Sequence, residues 1–263
     1  MQDWDFDTET AVRLVEPGRW TTDVSDRWNI GDNPNGGYLV TSVLRAMSEL
    51  SSHTDPLTVT THFLRPGSAL EAGIVEAELI RTGRTLSTLR GRLVQNGKGR
   101  VEVLAAFTDL STSDEPLVTI APPDLPPVED CVERSGLEQG VDLPIMDRTN
   151  VRLHPSQAQA GAAGEPVVSG WIRFVDGREP DTLSLLLFAD AFPPSLFGTL
   201  GYVGWVPTVE MTVHIRRRPA PGWIRGRFEA TDLTGGRVIE SGQLWDSTGA
   251  LVAQTRQIGL LLT

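Results

Sequence analysis

Few residues in this chain have the type and spacing that chemistry asks for, and the first group to follow is Asn33-Pro34-Asn35-Gly36-Gly37. A glycine pair opening a helix lets a ligand oxygen approach the backbone closely. The free N–H groups and dipole of a helix N-terminus then favour negative charge. His62 and His214 recur in similar settings, Thr60-Thr61-His62 and Thr212-Val213-His214, but a repeated strand histidine is more often packed or hydrogen-bonded than catalytic. Arg216-Arg217-Arg218 has the guanidinium forks that suit phosphate, with a solvated strand end as the simpler account. Other chemistries lack their residues. There is no Gly-x-Ser-x-Gly elbow for a nucleophilic serine. Gly91 to Lys98 has the wrong spacing for a Walker loop and no following Ser or Thr. No paired His or Cys/His spacing suggests a metal site.

Composition narrows the classes further. A formal net charge of -11 over 263 residues argues against a nucleic-acid surface, which needs concentrated Lys and Arg. The single cysteine, Cys131, allows no intrachain disulfide and fits a reducing cytoplasm. Met1-Gln2-Asp3-Trp4-Asp5 has neither a basic start nor an apolar core, and no apolar run approaches the roughly 20 residues of a membrane span. The expectation is a cytoplasmic protein with no membrane span and no nucleic-acid partner.

The elements that must position any site are written twice. Val12-Arg13-Leu14 followed by Pro17 returns as Val151-Arg152-Leu153 followed by Pro155. Thr60, His62 and Arg65 return 152 residues later as Thr212, His214 and Arg217, and Thr82-Gly83 returns at the same offset as Thr234-Gly235. Their shared order points to a duplicated unit of about 110 residues. In the first unit, residues 11–15 and 20–30 read as strands around the turn Pro17-Gly18. From Tyr38, apolar Leu39, Val40, Val43, Leu44, Met47 and Leu50 fall at helical spacing, predicting one helix of about 13 residues. A period of two then marks residues 57–66 as a half-buried strand. Strands follow at 74–81, 85–95 and 100–109, with Asn96-Gly97 as a tight hairpin turn.

The second unit predicts strands at 150–154 and 167–175, an apolar helix at 181–197, and strands at 208–217, 224–231, 237–246 and 251–262. Between the units, residues 111–147 are rich in Pro and acids, which predicts a long extended connection. One helix and several antiparallel strands per unit suggest a sheet curling around its helix. Such a sheet leaves an open edge, and two units bury theirs by pairing.

With these residues in place, the chain resembles the double hot-dog acyl-CoA thioesterases, the TesB-like or thioesterase II family. The resemblance is carried by Asn35-Gly36-Gly37-Tyr38-Leu39, Trp171-Ile172-Arg173, the run from Leu183 to Asp190, Pro207-Thr208-Val209-Glu210, and the run from Leu251 to Gln257. Nearly the whole chain is covered. The implied class is α+β, a tandem hot-dog fold with two curved antiparallel sheets, each wrapped around one long helix. Its parts would be a repeat at 1–113, a Pro/acid-rich linker at 114–147 and a repeat at 148–263. In that family an aspartate on the second helix, a threonine opening the next strand and a glutamine on the last strand hold the hydrolytic water. These positions are Asp190, Thr208 and Gln257. Gly36, Gly37 and Tyr38 would meet the acyl-CoA substrate. No cofactor is implied, and exposed sheet edges favour a homo-oligomer. The chain departs from the family's commoner Ser-Asp pair: Ala189-Asp190-Ala191-Phe192 stands there, followed by Pro193-Pro194, which should end or kink the helix.

The chemistry of the trio is coherent. A carboxylate beside a water can act as general base, and an apolar setting raises its pKa toward a useful value. A Thr hydroxyl and a Gln amide can fix the direction of that water, and N–H groups near Gly36 and Gly37 could bind the thioester oxygen. The repeat offset sets Asp190 against Tyr38 and Thr208 against Pro56, and aligning Gly249 with Gly99 sets Gln257 against Phe107. One working site per chain is therefore expected. Two other readings stay open. One is a hot-dog protein that binds acyl-CoA or a partner without turnover. The other is an enoyl-CoA hydratase, whose Asp, Asn-Pro and His motif Gly31-Asp32-Asn33-Pro34 matches only superficially, one residue short and without the histidine.

Overall fold

The computed structural model describes residues 3–111 and 115–261. A short helix α1 (Asp5–Glu9) leads into the hairpin β1 (Arg13–Glu16) and β2 (Arg19–Asp23). Gly18 turns that hairpin at φ +81, a conformation that glycine adopts without steric cost. Two-residue strands β3 (Asn29–Ile30) and β4 (Asn33–Pro34) pair just before helix α2 (Gly36–Leu50). Strands β5 (Asp55–Phe63), β6 (Ala72–Thr82), β7 (Ser87–Gln95) and β8 (Lys98–Thr108) follow. The connection contributes β9 (Val132–Glu133) and helix α3 (Gly136–Gln139). Next come β10 (Thr149–Leu153), β11 (Val167–Phe174), helices α4 (Ser184–Ala189) and α5 (Phe197–Leu200), then β12 (Thr208–Ile215), β13 (Ile224–Thr234), β14 (Arg237–Trp245) and β15 (Leu251–Leu260).

Thirteen of these strands form one sheet, in the order β1-β2-β6-β7-β8-β5-β12-β15-β14-β13-β11-β10-β9. Its middle is the antiparallel pair β5 and β12, where Thr60 lies opposite Thr212 and their hydroxyls are 3.0 Å apart. Moving outward from that seam, the strands run β8, β7, β6, β2 on one side and β15, β14, β13, β11 on the other. The alternation predicted for these strands is visible as burial: Leu89, Gly91 and Leu93 face inward along β7 while Arg90 and Arg92 face out. Helix α2 packs against β2, β5, β6, β7 and β8 and against α4, burying Leu39, Val40, Val43, Leu44 and Met47 as their spacing predicts. No helix among the described residues is long and apolar enough to cross a membrane.

Two elements differ from expectation. The helix predicted over 181–197 is regular only over six residues, 184–189, and Asp190 is its C-cap. Pro193 and Pro194 lack the N–H groups that a continuing helix needs, so the chain turns and restarts as α5. The connection is not simply extended. It is pinned early, by Trp245 Nε1 donating to Ile120 O (2.9 Å) and Trp171 Nε1 to Pro126 O (3.1 Å). From Val132 it folds, β9 pairing with β10 and α3 ending on Gly140 at φ +77. The expected boundary at 113–114 and residue 262 of the last predicted strand lie outside the described residues.

A close backbone approach in the interior joins α2 to α4. A Cβ on Gly37 would meet the carbonyl oxygen of Leu186 and would come to 2.7 Å from Leu187 Cα. Both are backbone atoms, so neither can rotate away. Gly37→Ala should lower stability in urea denaturation by about 1–3 kcal/mol, the usual cost of overpacking a close-packed interior.

Candidate active site

The helix N-terminus and the C-cap of α4 meet at Asp190. Asn35 caps α2 by accepting a hydrogen bond from Tyr38 N at 3.0 Å, the usual role of a short polar residue there. The same side chain's Nδ2 donates to Asp190 twice, to the carbonyl oxygen at 2.8 Å and to Oδ2 at 2.9 Å. Gly37 N donates to Oδ2 at 3.0 Å. A Cβ on Gly36 would come to 2.9 Å from that oxygen and 2.7 Å from the Phe63 ring, so only glycine leaves the carboxylate its place. Burial pushes the Asp190 pKa up to about 6; the Gly37 and Gly36 amides pull it down, Glu240 raises it and Arg134 lowers it.

A second polar chain crosses β12, β15 and β14. Thr208 Oγ1 donates to Gln257 Oε1 at 3.0 Å, and Gln257 Nε2 donates to Glu240 Oε1 at 2.6 Å. The other Glu240 oxygen accepts from Ser195 N at 2.7 Å. Because a carboxylate only accepts, Glu240 fixes which end of the Gln257 amide is nitrogen. The Thr208 hydroxyl proton is then committed to Gln257, leaving its oxygen lone pairs to accept from a water.

Asp190, Thr208, Gln257, Glu240 and Gly36 line one cavity of about 260 Å³. Leu39, Phe63, Phe192, Leu196 and Trp205 supply apolar wall. Arg134 and Gln139 line it too, brought in by the connection. Among the described residues no group of three His, Cys, Asp or Glu could hold a metal ion.

Of the residues expected at the site, Asp190, Thr208, Gln257 and Gly36 share this cavity. Gly37 acts from behind it, its N–H spent on the carboxylate rather than left for a thioester oxygen. Tyr38 does not reach it. Its ring stacks on Trp28 with centroids 5.4 Å apart, and its hydroxyl accepts from Ser25 N and donates to Glu9 O, each at 2.9 Å. A helix's third residue points back along the axis into the core, and here the core takes the ring. His62 and His214 are exposed, and Arg218 pairs with Asp55 at 2.8 Å.

Three site residues escaped sequence reasoning. Glu240 had a usable signal: it sits in phase with Val238, Gly242 and Leu244 on the buried face of β14, and a charge in an apolar register marks a purpose. Asn35 stood in the motif that leads into α2, with nothing to mark it as a hydrogen-bond donor to Asp190. Arg134 carried no signal, since nothing in the connection's composition separates it from a surface arginine.

The sheet register also corrects the comparison of the two halves. Ala105 pairs with Val59, and Gln257 pairs with Met211, so Gln257 is level with Ala105, not Phe107. Asp181 Oδ1 accepts from Ser184 N as Asn35 Oδ1 accepts from Tyr38 N, and matching those two bonds sets Asp190 level with Leu44 rather than Tyr38.

These features define a class, and comparison with known proteins gives it a family. A crystal structure of a conserved protein from Alicyclobacillus acidocaldarius with a hot-dog fold superimposes with a TM-score of 0.87, at 23% identity, covering 100% of this chain and 99% of that one; the present fold is a hot-dog fold. A protein from Thermobifida fusca assigned as a thioesterase II superimposes with a TM-score of 0.90, at 29% identity over 99% of this chain and 98% of that one. An uncharacterized protein of Mycobacterium tuberculosis is 25% identical over 97% of this chain and 98% of its own length. Residues 24–109 match the acyl-CoA thioesterase N-terminal domain, and residues 122–261 match the acyl-CoA thioesterase C-terminal domain. The chain belongs to the TesB-like acyl-CoA thioesterase family and is a thioester hydrolase.

A base works only when deprotonated. If Asp190 fills that role, kcat/KM for thioester cleavage should rise with pH through about 6 and level off above it, as a stopped or continuous thiol-release assay across pH 4.5–8 (~3.5 units, spanning the ionisation) would show.

Proposed function

We propose that this protein hydrolyses an acyl-CoA to the free acid and CoA, with Asp190 as general base and Thr208 and Gln257 directing the water. The observation that carries this reading is the convergence of a carboxylate with a raised pKa and a committed Thr–Gln pair on one cavity. Asp190 takes a proton as the water oxygen bonds to the thioester carbon, and the carbonyl π pair moves onto the acyl oxygen. Collapse of that intermediate breaks the C–S bond. The proton on Asp190 leaves with the thiolate, so acid and thiol are formed from thioester and water.

In this reading the sheet is a tandem of two hot-dog units, each sheet wrapped on its own helix, with boundaries near 1–113, 114–147 and 148–263. Support comes from the mirrored strand order about the Thr60–Thr212 seam and from equivalent ladder positions. Leu89 pairs with Ala105 where Glu240 pairs with Gln257. Pro56, the second residue of β5, lies opposite Phe107 where Thr208 opens β12 opposite Gly259. At these positions one half carries Leu89, Ala105 and Pro56 where the other carries Glu240, Gln257 and Thr208, which supports one working site per chain. A cytoplasmic location and assembly into a homo-oligomer belong to the same reading, supported by the lone cysteine and by the exposed Leu14 and Val15 on edge strand β1.

The test is a panel of acyl-CoAs of increasing chain length, assayed for free thiol. Asp190→Asn should lower kcat by about 10²–10⁴, the usual worth of a positioned base. Undiminished turnover in that variant would overturn the mechanism, and silence of the wild type across the panel would favour a binding protein.

The cavity, about 260 Å³, falls below the ~300–1,000 Å³ of common ligand pockets, so short acyl chains should be preferred. Phe192 packs on Phe228 with ring centroids 4.9 Å apart and lines the cavity. Phe192→Ala should therefore move the optimum of the same panel toward longer chains, read as the ratio of kcat/KM values.

A further inference from the structure

Arg134 is only 2% exposed, and every group to which it donates is neutral. Nε and Nη2 donate to Gln139 Oε1 at 2.9 and 2.5 Å, and Nη1 donates to Ala191 O at 2.6 Å. A guanidinium carries five N–H groups, so these bonds do not exhaust it. Gln139 is itself held by its Nε2 donating to Gly204 O at 3.3 Å, which fixes the guanidinium plane. The side chain lines the same cavity as Asp190 and Glu240, the two carboxylates among the lining residues.

Burying a guanidinium without negative charge nearby is heavily unfavourable. Its compensation here is the cavity itself. Burial lowers the Arg134 pKa to about 9 while Asp190 opposes the drop, so the group stays cationic at neutral pH. The charged groups facing Asp190 are Arg134 from the connection and Glu240 from β14, and Arg65 lies at the cavity wall.

Hydrolysis moves negative charge. As the water's proton passes to Asp190, the charge leaves the carboxylate and appears on the acyl oxygen. Something has to receive it, and the helix N-terminus is already engaged, since Gly37 N and Asn35 Nδ2 both donate to Asp190 Oδ2. We infer that Arg134 is a further catalytic residue, donating its uncommitted N–H groups to the acyl oxygen of the substrate and to the carboxylate of the product. The inference rests on the thioesterase reading of this cavity and adds the group that receives the charge.

Arg134→Gln and Arg134→Lys test it. With melting temperatures confirming folded protein, Arg134→Gln should lower kcat for thiol release by about 10² or more, the usual loss of an oxyanion donor, with a much smaller change in KM. Arg134→Lys, which keeps the charge, should recover part of that loss. The acid limb of kcat/KM in Arg134→Gln should also move to higher pH, because Asp190 loses its positive neighbour. That shift reports the charge beside Asp190; a purely structural arginine would produce it too, but would leave kcat and carboxylate affinity of the folded variant unchanged. A readout independent of turnover is calorimetric binding of hexanoate or octanoate at pH 7.5, roughly two units above the carboxylates' ordinary range. The wild type should bind more tightly than Arg134→Gln by about tenfold or more, the expected scale for a charge-assisted hydrogen bond. Equal carboxylate affinity in the two proteins, or an unchanged kcat and acid limb in folded Arg134→Gln, would overturn the inference. A wild type that binds the carboxylate through Arg134 but cleaves no acyl-CoA would sink the hydrolytic reading and leave the contact standing.

Discussion

The site depends on how closely two helices cross. With no Cβ on Gly37, the first turn of α2 lies against the backbone of α4 at Leu186 and Leu187. That contact fixes the distance from the amide of Gly37 to the residue that ends α4. Asp190 is that residue, and its Oδ2 receives both Gly37 N and Asn35 Nδ2. The N-cap therefore has two tasks, closing α2 through Oδ1 and holding the Asp190 carboxylate through Nδ2. A buried carboxylate stripped of water would stay protonated to high pH, whereas one fully surrounded by donors would be too weak a base. The amides and the burial act in opposite directions, and the balance falls at about 6, where the group is mostly ionised at neutral pH yet still a useful proton acceptor.

Position is only half of what a water-directed mechanism needs. Thr208, Gln257 and Glu240 stand on three neighbouring strands, β12, β15 and β14, so the sheet ladder sets their spacing without help from loops. Glu240 is 6% exposed, an unfavourable place for a carboxylate. It is accommodated by donors from Gln257 Nε2 and Ser195 N, and in return it removes the ambiguity of the Gln257 amide. The segment that delivers Ser195 is the turn forced by Pro193 and Pro194. The proline pair that cuts α4 short thus also places an N–H against the carboxylate that orients the glutamine.

Much of the fold was legible, and the reason is periodicity. The spacing of Leu39, Val40, Val43, Leu44 and Met47 identified α2, and alternation identified β5 through β8 and β12 through β15. The Thr60 and Thr212 match, seen first as a sequence echo, is the seam where the halves meet. Legibility ended where tertiary structure overrides local pattern. An apolar run such as 181–197 reads as one helix whether or not prolines terminate it midway. A Pro- and acid-rich connection reads as extended even when Trp171 and Trp245 anchor it and it carries Arg134 into the interior. Tyr38 shows the same limit. Its place in the sequence is next to the glycines, but side-chain direction on a helix sends it to Trp28 and the core.

The electrostatics of the cavity bear on product release as much as on bond cleavage. Two carboxylates, Asp190 and Glu240, and two guanidiniums, Arg134 and Arg65, line a space with apolar walls, where charges interact more strongly than in water. A thioester enters as a neutral group, so nothing in that balance opposes it. In the proposed reaction the charge is only relocated, from Asp190 to the acyl oxygen. After collapse the acid product loses its proton, and with Asp190 ionised again the cavity holds one negative charge more than before. Two guanidiniums cannot match three carboxylate groups. The same arrangement that admits a neutral ester therefore disfavours retention of the acid it forms, and this asymmetry follows from having Glu240 buried in the wall rather than a neutral residue such as the Leu89 that stands at the level position in the other half.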